Sequence, residues 1–138
     1  EHFIVKVGLS SNKEDIFFLM FNNIDVGVGQ HKNIQIEQNV LNANVNHGIV
    51  ANFGTKFENG RFILNFGKKE KKVNFNGIEF SYGDQKILIT ESNYRRFLKW
   101  NRFVEFSENG FSLTTKRVNG EHHPAIFARQ SLLDSLFK

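Results

Sequence analysis

Between residues 60 and 90 apolar side chains recur at nearly every second position, and the run is punctuated by residue pairs that favour tight turns. Phe62, Leu64 and Phe66 alternate with polar neighbours, then Val73 and Phe75, then Ile78, Phe80 and Tyr82, and the run closes on "KILIT" at 86–90. A period of two describes a strand buried on one face, whereas a helix repeats every three to four residues. Asn59-Gly60, Asn76-Gly77 and Gly83-Asp84 fall between these groups. Asn-Gly supplies the positive φ angles that type I′ hairpin turns require. The pattern predicts an antiparallel meander of three or four successive strands over 60–90.

The same grammar extends in both directions. "RFVEFS" and "FSLTTKRV" flank Asn109-Gly110, and Asn119-Gly120 follows. Near the start, "HFIVKVGL" and "IFFLMF" surround the polar "SSNKED", which predicts a hairpin; Ser11 and Glu14 have capping-box spacing, but six consecutive apolar residues would clothe a helix on every side. "NIQIEQ" and "HGIVANF" read as further short strands. No repeat or Gly/Ser/Pro-rich linker divides the 138 residues, so 1–138 is expected to be a single domain. The fold class expected is mainly β, a β-rich α+β domain whose antiparallel meander forms a curved sheet or two-layer sandwich. A helix is expected near 92–102 and a C-terminal helix near 124–137, where Pro124 suits a first turn and Ile126, Leu133, Leu136 and Phe137 form a stripe.

Sixteen Phe residues require an unusually aromatic core. The absence of Cys excludes disulfides, thiolate metal sites and Cys nucleophiles. The longest apolar run, Ile16 to Phe21, is far short of the roughly 20 residues needed to cross a bilayer as a helix, so no transmembrane segment is expected. Glu1 in place of Met is expected to mark a processed or excised chain. Net charge is unevenly placed: −2 over residues 1–60, +6 over 61–102 and 0 over 103–138. The middle third therefore carries the whole excess, the distribution expected of a polyanion footprint.

Within that third, "NYRRFLKWNRF" at 93–103 mixes cations with apolar bulk. As a helix it would gather Arg95, Arg96, Lys99 and Arg102 within about 120° of arc, away from Phe97, Leu98 and Trp100. Ser92 is a suitable N-cap. Lys68, Lys69, Lys71 and Lys72 surround Glu70 in what reads as a turn between strands, a second basic group. The expectation is non-catalytic binding of a polyanionic partner, with single-stranded or otherwise accessible nucleic acid favoured, because Lys and Arg displace condensed counterions and exposed aromatics stack on unpaired bases. The ordinary alternative is a docked helix with a solvated charged side. A β-sandwich recognition or assembly module with a carbohydrate or protein partner is the second class.

Enzymatic readings rest on less. Asp84-Gln85-Lys86 entering an apolar strand resembles the acid-x-Lys element of metal-dependent nucleases, in which carboxylates such as Glu79 and Asp84 would hold Mg²⁺ and Lys86 would position water. The turn "YGDQ" explains Asp84 locally. His122-His123 point to opposite sides of extended backbone, a poor pair of metal ligands. "GVG" at 27–29 lacks the further Gly and helix of a phosphate-cradling loop and reads as a turn or bulge. No cofactor, metal or catalytic residue is expected.

Overall fold

The structure is a computed structural model and describes residues 1–23, 32–40, 43–55 and 60–137; Gly27–Gly29 and Asn59 lie outside the described residues. Eleven strands and two short helices are formed among them. The strands are β1 (Phe3–Ser11), β2 (Asp15–Asn23), β3 (Lys32–Val40), β4 (His47–Asn52), β5 (Gly60–Asn65), β6 (Lys72–Tyr82), β7 (Gln85–Ile89), β8 (Leu98–Trp100), β9 (Val104–Phe106), β10 (Ser112–Thr115) and β11 (Ala125–Ala128). The helices are α1 (Tyr94–Phe97), between β7 and β8, and α2 (Gln130–Leu136), after β11.

The strands make two antiparallel sheets. Sheet A runs β4-β1-β6-β10-β9 with β7 also on β6, and sheet B runs β3-β2-β5-β11-β8. No closed barrel forms among the described residues. The mainly-β, two-sheet expectation holds. So does the alternation that led to it, since Phe3, Val5, Val7 and Leu9 of sheet A and Phe17, Leu19, Phe21, Phe62 and Leu64 of sheet B are all buried.

The predicted meander does not form as one sheet. β5 pairs with β2 and β11, whereas β6 pairs with β1, β7 and β10, so the lysine-rich segment after β5 crosses between sheets instead of closing a hairpin. The predicted hairpin near the start fails in the same way: β1 joins β4 and β6 while β2 joins β3 and β5. Alternation reports which side chains a strand buries and is silent about which strand it pairs with.

Asn76-Gly77 is a bulge and not a turn. Gly8 faces Gly77 but Leu9 faces Phe75, leaving Asn76 as the extra residue in a continuous eleven-residue β6. The phase of burial changes there, from Val73 and Phe75 to Ile78 and Phe80. Asn119-Gly120 does make a tight turn: both residues have positive φ (53° and 80°), and Val118 and Glu121 exchange both backbone hydrogen bonds. These are the features of a two-residue type I′ hairpin.

Both helices are shorter than expected. α1 is a single turn, and Leu98 then leaves it to pair with Ala128 in β8. Leu98 points inward and Lys99 outward, with Trp100 packed against the core, so extended chain separates these side chains as well as a helix would, and β11 supplies the hydrogen-bonding partner. α2 begins at Gln130, because Ile126 is taken into β11 between β5 and β8 of sheet B and Pro124 accepts a hydrogen bond from Phe66 N–H.

The core is aromatic, as the Phe content requires. The Phe3 ring lies 4.8 Å from Phe21, 5.5 Å from Phe53, 6.3 Å from Phe80 and 5.2 Å from Phe137. Phe62 and Phe80 meet edge to face across the two sheets at 5.2 Å. A second cluster stacks Tyr94 on Phe106 and Phe111 at 4.6 and 4.9 Å and anchors α1. Leu132, Leu133 and Leu136 of α2 extend this core.

Gly60 tests the packing. Any Cβ there would run into the ring of Phe21. Gly60→Ala is expected to lower stability by about 1–3 kcal/mol, measured as a fall in urea midpoint at unchanged m-value. An unchanged midpoint would mean that the Phe21 ring is free to move aside.

Candidate anion-binding surface

The eight cations singled out above separate into three environments. Lys71 is a correction to the sequence reading: its side chain is 0% exposed and belongs to the interior. Its Nζ donates to Asp15 Oδ2 at 2.7 Å and to the Phe66 carbonyl, and its N–H donates to Thr115 Oγ1 at 3.0 Å. Asp15 Oδ2 also accepts from the N–H groups of Lys68 (2.9 Å) and Lys69 (2.8 Å). Gly67, at φ +83°, lets the chain turn there, and a Cβ on it would strike the Asp15 carboxyl group. Burial pulls the Lys71 ammonium below the ordinary lysine value despite Asp15. Burial works to raise the Asp15 carboxyl, but hydrogen bonds from Lys71, Lys69 and Ile16 outweigh it and hold it low. An ion pair this buried stabilises only with its partners in place, and removing one partner alone costs about 3–5 kcal/mol.

Lys68, Lys69 and Lys72 remain exposed around this junction. Lys68 lines a cleft of 680 Å³ with Phe18, Met20, Gln35, Asn65, Arg117 and the segment 120–123. The far wall is the hairpin closed by Asn119-Gly120. His122 fastens that hairpin: its Nδ1 lies 2.9 Å from the Lys68 carbonyl and its Nε2 2.9 Å from Thr115 Oγ1. A carbonyl only accepts, so Nδ1 carries the proton and neutral Nε2 accepts from the Thr115 hydroxyl. Burial lowers the His122 pKa; Lys71 and Arg117 push it the same way, while the Lys68 carbonyl and Glu70 oppose them.

The third environment is α1 and β8. Arg95 and Arg96 are exposed on α1, with Cζ 5.0 Å from the Tyr94 ring and 4.9 Å from the Phe97 ring. Arg102 lies 5.1 Å from the Phe103 ring, and its Nη2 is 3.4 Å from Glu121 Oε2. Lys99 faces outward from β8, opposite Phe127 of β11, which in turn faces Ile63 of β5. Arg61, two positions before Ile63, shares a groove of 330 Å³ with Lys99, Trp100, Asn101 and Phe127. Neither Arg61 nor Lys99 makes an ion pair among the described residues. Arg61 was missed in the sequence, although its position beside inward-facing Phe62 on an alternating strand placed it outward. Trp100, half-buried, borders the groove while its ring packs 4.5 Å from Phe106.

The nuclease-like trio is not assembled. Glu79 faces Leu88 and Lys86 faces Ser81, while Asp84 sits beyond Tyr82 in the β6–β7 turn, roughly 10 Å or more along the strand from Glu79 at about 3.3 Å per residue. Among the described residues no three of His, Asp and Glu gather as metal ligands. No helix among them is long and apolar enough to cross a membrane. Comparison with protein-family models, curated proteins and solved structures finds no match to the chain.

The buried junction has a pH consequence. Between the depressed folded pKa of His122 and its ordinary 6.5, the unfolded chain binds a proton that the folded chain refuses, so stability rises with pH across that window. His122's share is complete above 6.5 and is lost as pH falls through the folded value; Asp15 acts in the same sense at more acid pH. The thermal midpoint is expected to drop from pH 7.5 to pH 5, and His122→Gln is expected to shrink that drop. Equal pH dependence in the two proteins would contradict the assignment.

Proposed function

We propose that the protein is a non-catalytic binding domain that holds a polyanion, single-stranded nucleic acid in the first place, along the outer face of sheet B. The observation that carries this reading is the groove in which Arg61 and Lys99, both without ion-pair partners among the described residues, flank half-buried Trp100 and Phe127. Lys and Arg side chains neutralise phosphates, and partly exposed aromatic rings accept unpaired bases without regard to sequence. Arg95 and Arg96, exposed on the turn that leads into β8, add positive charge near Lys99 in the chain. The outward row Met20, Ile63 and Phe127 continues the apolar path across neighbouring strands. Lys71 has no part in this surface, and Arg102 is already shared with Glu121.

Binding of a fluorescent oligothymidylate across a salt series tests the reading. With four phosphates met by Arg61, Arg95, Arg96 and Lys99, log K should fall with log salt at a slope of roughly −3, taking about −0.7 per phosphate. Arg61→Ser with Lys99→Ser should flatten that slope by about 1.4. The fold should survive, because exposed substitutions change stability by about 0.5 kcal/mol or less. Unchanged affinity and slope in the double variant would sink the proposal. Heparin bound as tightly at matched ionic strength would remove the preference for nucleic acid.

A further inference from the structure

The cleft beneath the 118–121 hairpin has a composition distinct from the groove. Its floor is the outer face of β2, where Phe18 and Met20 lie half-buried. Its volume of 680 Å³ falls within the roughly 300–1,000 Å³ of small-molecule sites, which pair an apolar lining with a few placed polar groups. The hairpin wall is held rigidly: Val118 and Glu121 are bridged, both nitrogens of His122 are engaged, and Asn101 Nδ2 donates to the His123 carbonyl at 2.7 Å.

The charges in the lining are mostly spent elsewhere. Arg117 faces Glu70, with Nε 3.8 Å from Oε2, and Glu121 faces Arg102. Lys68 makes no ion pair among the described residues. Asn65 Oδ1 accepts from Gly67 N–H at 2.9 Å, and its amide N–H₂ makes no hydrogen bond among the described residues. Gln35 makes no side-chain hydrogen bond among the described residues and lines the same space. One uncompensated ammonium and two amide donors above an apolar floor suit a single negative group attached to a ring.

We infer that this cleft binds a small ring-bearing anion, its ring on Phe18 and Met20 and its phosphate or carboxylate at Lys68, Asn65 and Gln35. Such a group comes either from a free small molecule or from the phosphorylated end of a strand; the second source rests on the nucleic-acid reading, and the first does not.

Phenyl phosphate, titrated while backbone amide shifts are followed by NMR, tests the site itself. The amides of Gly67, Lys68 and Gly120 should move, Lys68→Met should weaken binding about tenfold, and Lys68→Arg should restore most of it. Inorganic phosphate alone should bind more weakly, because the ring contributes. Oligothymidylates with and without a 5′-phosphate separate the sources: cleft shifts that need the 5′-phosphate assign a strand end, and cleft shifts with phenyl phosphate alone assign a free ligand. If none of these probes moves the three amides, or if Lys68→Met binds phenyl phosphate as the parent does, the inference is wrong. Loss of oligothymidylate affinity on changing Arg61 and Lys99 reports on the groove alone, so the two readings fail separately.

Discussion

A single ammonium group with no access to water sets the geometry of one end of this molecule. Taking the Lys71 charge out of solvent costs several kcal/mol unless partners replace the lost hydration. The ammonium is met by Asp15 at the start of β2 and by the Phe66 carbonyl just after β5, while Thr115 at the end of β10 holds the backbone N–H of the same residue. Both crossings from one sheet to the other near this end, from β1 to β2 and from β5 to β6, are pinned to that point. Asn12 strengthens it by accepting from Lys72 N–H and donating its own N–H to the Lys72 carbonyl. A hydrophobic residue in place of the pair would keep the sheets together. It would not hold the backbone amides of Lys68 and Lys69 on a carboxylate, which fixes the wall of the cleft.

From this junction the remaining basic residues divide by position. Lys68 lines the cleft, and its carbonyl is the point to which His122 fastens the facing hairpin. Lys99 and Arg61 are carried onto the outer face of sheet B because β11 lies between their strands and brings Phe127 between them. The positive excess of the middle third is thus consumed once internally and presented outward on strands and turns whose inner faces are locked by aromatic packing. On the proposed reading such a surface would need little reorganisation to bind, which favours affinity by limiting the entropy lost on association.

The sequence made the strands legible because each one buries a single face, and the resulting period of two survives in Phe3 to Leu9, in Phe17 to Phe21 and in Phe62 to Leu64. Strand partners were not legible: a polar segment between two alternating runs looks the same whether it turns back or crosses to the other sheet. Asn76-Gly77 shows how a turn signal can be absorbed by a longer strand, and its trace was the one-residue slip from Phe75 to Ile78. At 93–103 the helical projection separated cations from bulk and had the backbone right for Tyr94–Phe97 but not beyond, since Leu98, Lys99 and Trp100 alternate equally well on extended chain. Charge clustering placed Lys99 outward, as it is, but passed over the equally exposed Arg61, and Lys71 was misplaced because a buried, paired lysine looks in sequence like its exposed neighbours. The cleft left almost no trace, being made from β2, β3, the β5–β6 crossing and a hairpin far apart in the chain.

The division of the lysines into one buried, paired with Asp15, and exposed ones that the proposal assigns to binding is tested most directly by amine labelling of the folded protein, read by mass spectrometry with and without a saturating oligothymidylate. Lys71 should stay unmodified in both states until the protein unfolds. Lys99 should react readily in the free protein and become protected in the complex. Lys71 reacting as fast as Lys69 and Lys72, or Lys99 remaining fully reactive in the complex, would contradict the account.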